Sequence, residues 1–211
     1  MIRRLRQRAH RHFLRLVFRL LYYEANWAYS LSAWLASAGA WRTWQQLLLA
    51  ETRGQRVLEV GCGPGWLLSD IAQEDRFCVG LDLSPRMVRR AHKEAPQAMS
   101  VRADAQALPF RKEVFDTVVM CFSGLSYTPS VLAEAHRVLA PGGRIAITER
   151  VELRPRRPLE WVASRLWGLT DTGVEAPSRG EVLGNTSLRW NSQWVTVGFA
   201  KVEVTVGAKV F

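Results

Sequence analysis

Acids are scarce at the start of this chain, and the first of them is Glu24. Arg3, Arg4, Arg6, Arg8, Arg11, Arg15 and Arg19 precede it, so residues 20–211 keep only +3 of the formal net charge of +10. Cysteine is scarcer still. Cys62, Cys78 and Cys121 are odd in number and lack metal-ligand spacing, which excludes a disulfide framework, gives no reason to expect a metal, and fits a reducing cytoplasm. No clean apolar segment with a small-residue cleavage site follows the basic start, so the pattern is not that of a secretory signal. The charge-free stretch from Ala25 to Trp41 has 17 residues, contains Asn26, three serines and Gly39, and is short for a membrane span. An apolar fraction of 48% excludes a disordered chain, and 211 residues suffice for one full core.

The most informative stretch is Val57 to Gly65, V-L-E-V-G-C-G-P-G. Val57, Leu58 and Val60 read as a strand buried on both faces, with Glu59 near its end. Gly61, Gly63 and Gly65 then allow a sharp turn and a close approach to a nucleotide-like ligand. The dinucleotide fingerprint G-x-G-x-x-G/A does not fit, because its last position falls on Trp66 when counted from Gly61 and on Leu68 when counted from Gly63.

Further stretches extend the pattern. Phe77 to Leu83, F-C-V-G-L-D-L, is a second apolar strand ending in Asp82, and an acid there can accept both hydroxyls of a ribose. A third short strand, Met99 to Arg102, precedes Asp104 and Ala105, and Phe115 to Met120 supplies a fourth. The helix-like A-E-A-H-R-V-L-A, the turn Pro141 to Gly143, and Arg144 to Thr148 complete a fifth unit.

Over about Gln55 to Arg150 this arrangement resembles the class I S-adenosylmethionine-dependent methyltransferases, in the ubiquinone/menaquinone C-methyltransferase-like branch with its type 11 domain. The resemblance implies an α/β fold, a Rossmann-like doubly wound seven-stranded sheet, mostly parallel with its last strand antiparallel, carrying an N-terminal helical extension. Residues 1–50 would be basic amphipathic and Trp-rich helices, and residues 51–211 the cofactor-binding domain. S-adenosylmethionine would be held by Glu59, Gly61, Cys62, Gly63, Gly65, Asp82, Leu83, Met87, Asp104, Ala105, Cys121 and Phe122, with Asp104 taking the adenine amino group. Trp66 to Ala72 is expected to be the first crossover helix. Ser84 should cap the next one, with Pro85 in its first turn.

Residues 2–21 read as an amphipathic helix with Ile2, Leu5, Ala9, Phe13, Leu16 and Leu20 on one side and arginines on the other. Three readings stay open: residues 1–20 lie on an anionic membrane surface, form a solvated face over the domain, or act as a nucleic-acid arm. Trp27, Trp34 and Trp41, at seven-residue spacing, would share one helical face. Tyr22, Tyr23, Tyr29 and Trp34 are candidates for an acceptor pocket. Leu159 to Trp167 should be a helix stopping at Gly168, and Lys201 to Val206 should form a closing hairpin with Lys209 to Phe211 through Gly207-Ala208.

Methyl transfer from a sulfonium is an in-line displacement, so alignment and exclusion of water matter most. A general base depends on the acceptor, and Tyr127, Glu149 and Tyr29 are the candidates, with Arg150 nearby. His136 and His92 read as structural and exposed, and Cys121 is not expected to be a nucleophile. There is no N/D-P-P-Y/F, the mark of many adenine and glutamine N-methyltransferases, and no Pro-Cys of cytosine enzymes. The expectation is a methyltransferase for a small or lipophilic, quinone-like or lipid-like acceptor, cytoplasmic and peripheral to the inner face of the membrane. An RNA methyltransferase and a non-catalytic cofactor-binding or interaction protein are the alternatives.

Overall fold

The computed structural model describes residues 26–73, 75–170, 183–184 and 186–210, with the side chains of 26–29 and 168–170 left aside. The helix expected over residues 2–21, and with it Tyr22 and Tyr23, lies outside them. Two compact units result: one holds the described residues up to Trp41 together with those from Leu153 to Thr170, and the other holds Arg42–Glu152 and the described residues from 183 onward.

The larger unit is a sheet with helices on both faces. Its elements are α2 (Trp41–Gln46, begun at the boundary), β1 (Arg56–Val60), α3 (Trp66–Ala72), β2 (Phe77–Asp82), α4 (Pro85–Glu94), β3 (Met99–Arg102), β4 (Phe115–Cys121), α5 (Pro129–Val138), β5 (Leu139–Thr148), β6 (Val151–Leu153), β7 (Leu188–Val197) and β8 (Ala200–Lys209). Strand order is β3-β2-β1-β4-β5-β8-β6, with β7 paired to β8, and the ladders from β3 to β5 are parallel while β5–β8 and β7–β8 are antiparallel. The order turns outward on either side of β1 and β4, the place where open α/β sheets bind ligands.

Sequence explains most of this. The apolar residues of β1 and β4 serve two cores because helices cover both faces: Leu58, Val60, Val118 and Met120 join one core, Val57 and Val119 the other. Ser84 caps α4, its hydroxyl accepting the Met87 amide at 3.4 Å, and Pro85 occupies the first turn.

The mostly parallel sheet with antiparallel closing strands is the expected fold, with eight strands among the described residues, but its closing hairpin lies elsewhere than expected. β8 runs unbroken to Lys209 and turns at its other end, at Gly198-Phe199, against β7, with Val197 paired to Ala200. Gly207 is therefore not a turn residue. A Cβ there would lie 2.7 Å from the Trp190 ring, so the position is glycine because an indole of β7 packs flat on the strand.

The smaller unit pairs α1 (Asn26–Ala36) with α6 (Pro158–Thr170). The tryptophan stripe expected over Trp27 to Trp41 does not form, because α1 stops at Ala36. Ala38 and Gly39 turn left-handed with φ of 48° and 85°, and Trp41 starts a new helix. Ser37 Oγ accepts the Trp41 amide at 3.0 Å, which restarts the chain. α6 continues past Gly168 to Thr170 instead of stopping there. Among the described residues no helix is long and apolar enough to cross a membrane.

Candidate functional site

Parallel pairing brings the chemistry of four strands to one edge. Val60 stands beside Leu81, Asp82 beside Arg102, and Glu59 beside Val119, so the chain segments beginning at Gly61, Asp82, Ala103 and Cys121 emerge together.

The glycine loop is tied to β2. The amides of Gly61 and Cys62 donate to the Leu81 carbonyl at 2.7 and 3.0 Å, and the Gly63 amide donates to Asp82 Oδ2 at 3.0 Å. Two of its glycines are sterically required: Gly61, at φ 74°, passes so near Ser123 that a Cβ would lie 2.8 Å from that side chain, and Gly65, at φ 85°, would put one 2.7 Å from Ala91 Cα.

Asp82 is 3% exposed and also accepts the Ser84 amide, at 2.8 Å through Oδ1. Asp104 is exposed at the end of β3, and its Oδ1 accepts the Gln106 amide at 2.9 Å. Leu83 is 51% exposed beside these acids, Ala105 is buried behind them, and Met87 is fully buried within α4. Cys62 and Cys121 are buried, and burial, ahead of the charge of Glu59, pushes both thiols up. Neither is a ready nucleophile. Phe122 takes a left-handed φ of 48°, a costly conformation for a bulky residue, held by its amide's bond to the Thr148 carbonyl (2.8 Å) and by the Trp44 ring 6.4 Å away.

Glu59 is the group that asks for a ligand. It is 2% exposed, Oε2 has no hydrogen-bond partner, and burial, reinforced by the charges of Asp82 and Asp70 and opposed by the Leu68 backbone, raises its carboxyl to about 8. A cationic group brought to this corner would restore its charge. The methionine end of S-adenosylmethionine, with an ammonium and a sulfonium, has the chemistry that the unpartnered Glu59 oxygen calls for; the residues fit the cofactor.

Beyond β4 the edge changes character. Glu149 Oε1 accepts from Ser123 Oγ (3.1 Å), Ser126 Oγ (2.7 Å) and the Ser126 amide (3.3 Å). Tyr127 is buried, its hydroxyl donating to Thr205 Oγ1 at 3.5 Å. Arg150 pairs with buried Glu203 at 3.2 Å and lies over the Trp194 ring, 5.4 Å from its centroid. The structure thus brings Tyr127 and Glu149 to the β4–β5 end of the edge, while Tyr29 lies in α1 with its side chain outside the described set. Ser123 and Ser126 were not singled out from the sequence. The only signal available was their three-residue spacing just after a strand.

Residues 57–143 match the model of a methyltransferase domain. An uncharacterised methyltransferase of Synechocystis sp. is 36% identical over 155 residues, covering 69% of this chain and 71% of that protein. These similarities and the site's geometry agree: the chain belongs to the class I S-adenosylmethionine-dependent methyltransferases. A demethylmenaquinone methyltransferase of Tropheryma whipplei is 34% identical over 113 residues, 52% of this chain and 47% of that one, so the chain spans about half that relative's length. Within the class, its sequence is similar to the ubiquinone/menaquinone C-methyltransferase-like branch. Among solved structures, magnesium protoporphyrin IX methyltransferase of Synechocystis with bound S-adenosylhomocysteine shares the fold, with a TM-score of 0.64 at 15% identity over 92% of this chain and 99% of that one.

Proposed function

We propose that this methyltransferase acts on a small lipophilic acceptor of quinone or lipid type, drawn from a membrane surface. The observation that carries methyl transfer itself is the buried, unpartnered Glu59 oxygen beside a glycine loop and two strand-end acids, a corner suited to a cationic nucleoside. In support, the relative from Tropheryma whipplei is a demethylmenaquinone methyltransferase.

When bound, S-adenosylmethionine supplies a methyl group already activated on sulfur. The residues of this chain would bind and orient it: Asp82 would receive the ribose hydroxyls, Asp104 the adenine amino group, and Glu59 would meet the cationic methionine end. Leu83 and Phe122 give apolar walls. Across the edge, Glu149 is the base in this reading, taking a proton from the acceptor where the acceptor must lose one. Its three donors, Ser123, Ser126 and the Ser126 amide, all meet Oε1. Residues 1–20, with their seven arginines, would add attraction to anionic lipid.

Isothermal titration with S-adenosylmethionine, S-adenosylhomocysteine and NADH tests the site. The first two bind and the third does not, and Asp82→Ala weakens both by roughly a hundredfold or more, as expected for loss of charge-assisted hydrogen bonds in a buried site. Unchanged affinity in that variant would remove Asp82 from the site. Direct comparison of anionic vesicles with RNA separates the lipophilic reading from an RNA methyltransferase.

A further inference from the structure

The smaller unit leaves apolar surface uncovered on both of its helices. On α1, Leu31 and Trp34 follow each other at helical spacing and are about half exposed, and the helix carries no charge from Asn26 to Ala36. On α6, Ala163 is the fully buried position, and Trp161, at 57% exposure, lies on the opposite side of the helix. Val162 and Leu159 are also about half exposed, and Trp161, Val162, Arg165 and Leu166 line a shallow groove of about 390 Å³. Two exposed indoles on two short helices exceed the scattered apolar residues of an ordinary surface.

Charge selects the occupant. Arg154, Arg156 and Arg157 are exposed at the entry to α6, and Arg165 stands in the groove itself. The acid of α6, Glu160, is turned back on the chain, accepting the backbone amides of Arg156 and Arg157 at 2.6 and 3.0 Å. Tryptophans beside leucine and valine, rimmed by arginines, are the composition of a face that lies in the headgroup region of a bilayer. We propose that α1 and α6 dock this enzyme on an anionic lipid surface through Trp34, Trp161 and Val162, with Arg156, Arg157 and Arg165 toward the headgroups. The proposal deepens the lipophilic-acceptor reading and rests on it for its purpose, though it uses none of the cofactor residues.

The test is cosedimentation of the full chain with phosphatidylglycerol and with phosphatidylcholine vesicles, together with quenching of tryptophan fluorescence by brominated lipid. The native chain binds the anionic vesicles and is quenched. Trp34→Ser/Trp161→Ser loses most of the quenching and partitions roughly tenfold more weakly, and Arg156→Glu/Arg157→Glu weakens binding to anionic vesicles alone. Thermal unfolding of each variant establishes that it is folded. Quenching that is unchanged in the tryptophan variant overturns the proposal, since another segment such as residues 1–20 would then carry the contact. So does a native dimer that the same variant makes monomeric, because the face would then cover a second copy. Titration of the native sample with S-adenosylhomocysteine separates the two readings: cofactor binding without vesicle binding retires the docking face alone, and vesicle binding without cofactor binding leaves it standing while the cofactor reading falls.

Discussion

Glu59 and Glu203 are both buried in strands of the same sheet, at 2% and 4% exposure, and they are treated oppositely. Glu203 has a cation of its own, Arg150 at 3.2 Å, and its amide is bonded to the Arg150 carbonyl. Glu59 leaves one oxygen unpartnered, and its carboxyl rises to about 8. A buried charge must be paired or neutralised. The buried acid on the β5–β8 side is thus paired within the chain, whereas the one on the β1–β2 side is left with an unpartnered oxygen that a cationic ligand would satisfy. The comparison separates surface built for stability from surface held ready for binding.

The widest break in that contrast comes from pH. Because Glu59 in the folded protein titrates near 8 and in the unfolded chain near 4.5, its contribution to stability is fully present below pH 4.5 and is lost progressively as pH rises to about 8. The loss runs at about 1.4 kcal/mol per pH unit at most and amounts to several kcal/mol on an order-of-magnitude scale. Denaturant melts of the native chain and of Glu59→Gln, each across that range, should differ by a slope which the variant lacks. Parallel curves would mean that Glu59 already has a partner. A smaller effect is expected from Gly65→Ala, which forces a Cβ to 2.7 Å from Ala91 Cα at φ 85° and should cost about 2–4 kcal/mol, read as a fall in Tm. The smallest is Arg150→Ala: the arginine is 56% exposed, so removing its pair with Glu203 should cost about 1 kcal/mol and shift the emission of Trp194, with cofactor affinity unaffected. A loss of cofactor affinity there would erase the division between the two sides.

The ligand-facing side was readable in the sequence because its constraints are local. Continuous apolar strands, three glycines in five residues and acids at strand ends each follow from what one short segment must do. The other side depends on segments distant in sequence. That Glu149 meets Ser123 and Ser126 requires the end of β5 to lie beside the loop after β4, and no spacing encodes that. Gly207-Ala208 looked like a turn because glycine most often marks one. Its actual cause, the Trp190 ring 17 positions earlier, is visible only once β7 and β8 are paired. The break at Ala38 was hidden for a related reason, since the alanines around it are good helix formers and the left-handed turn is fixed by Ser37 bonding across it.

The antiparallel seam between β5 and β8 also sets an order of events at the ribosome. β5 ends at Thr148 and β8 begins at Ala200, so the inner parallel strands can assemble well before the strand that covers β5 has been synthesised. Through that interval Ile145 and Ile147 sit on an open edge, a template for pairing with any passing strand. Nascent chains stalled between those two points should be the ones that chaperones hold and that aggregate when chaperones are scarce.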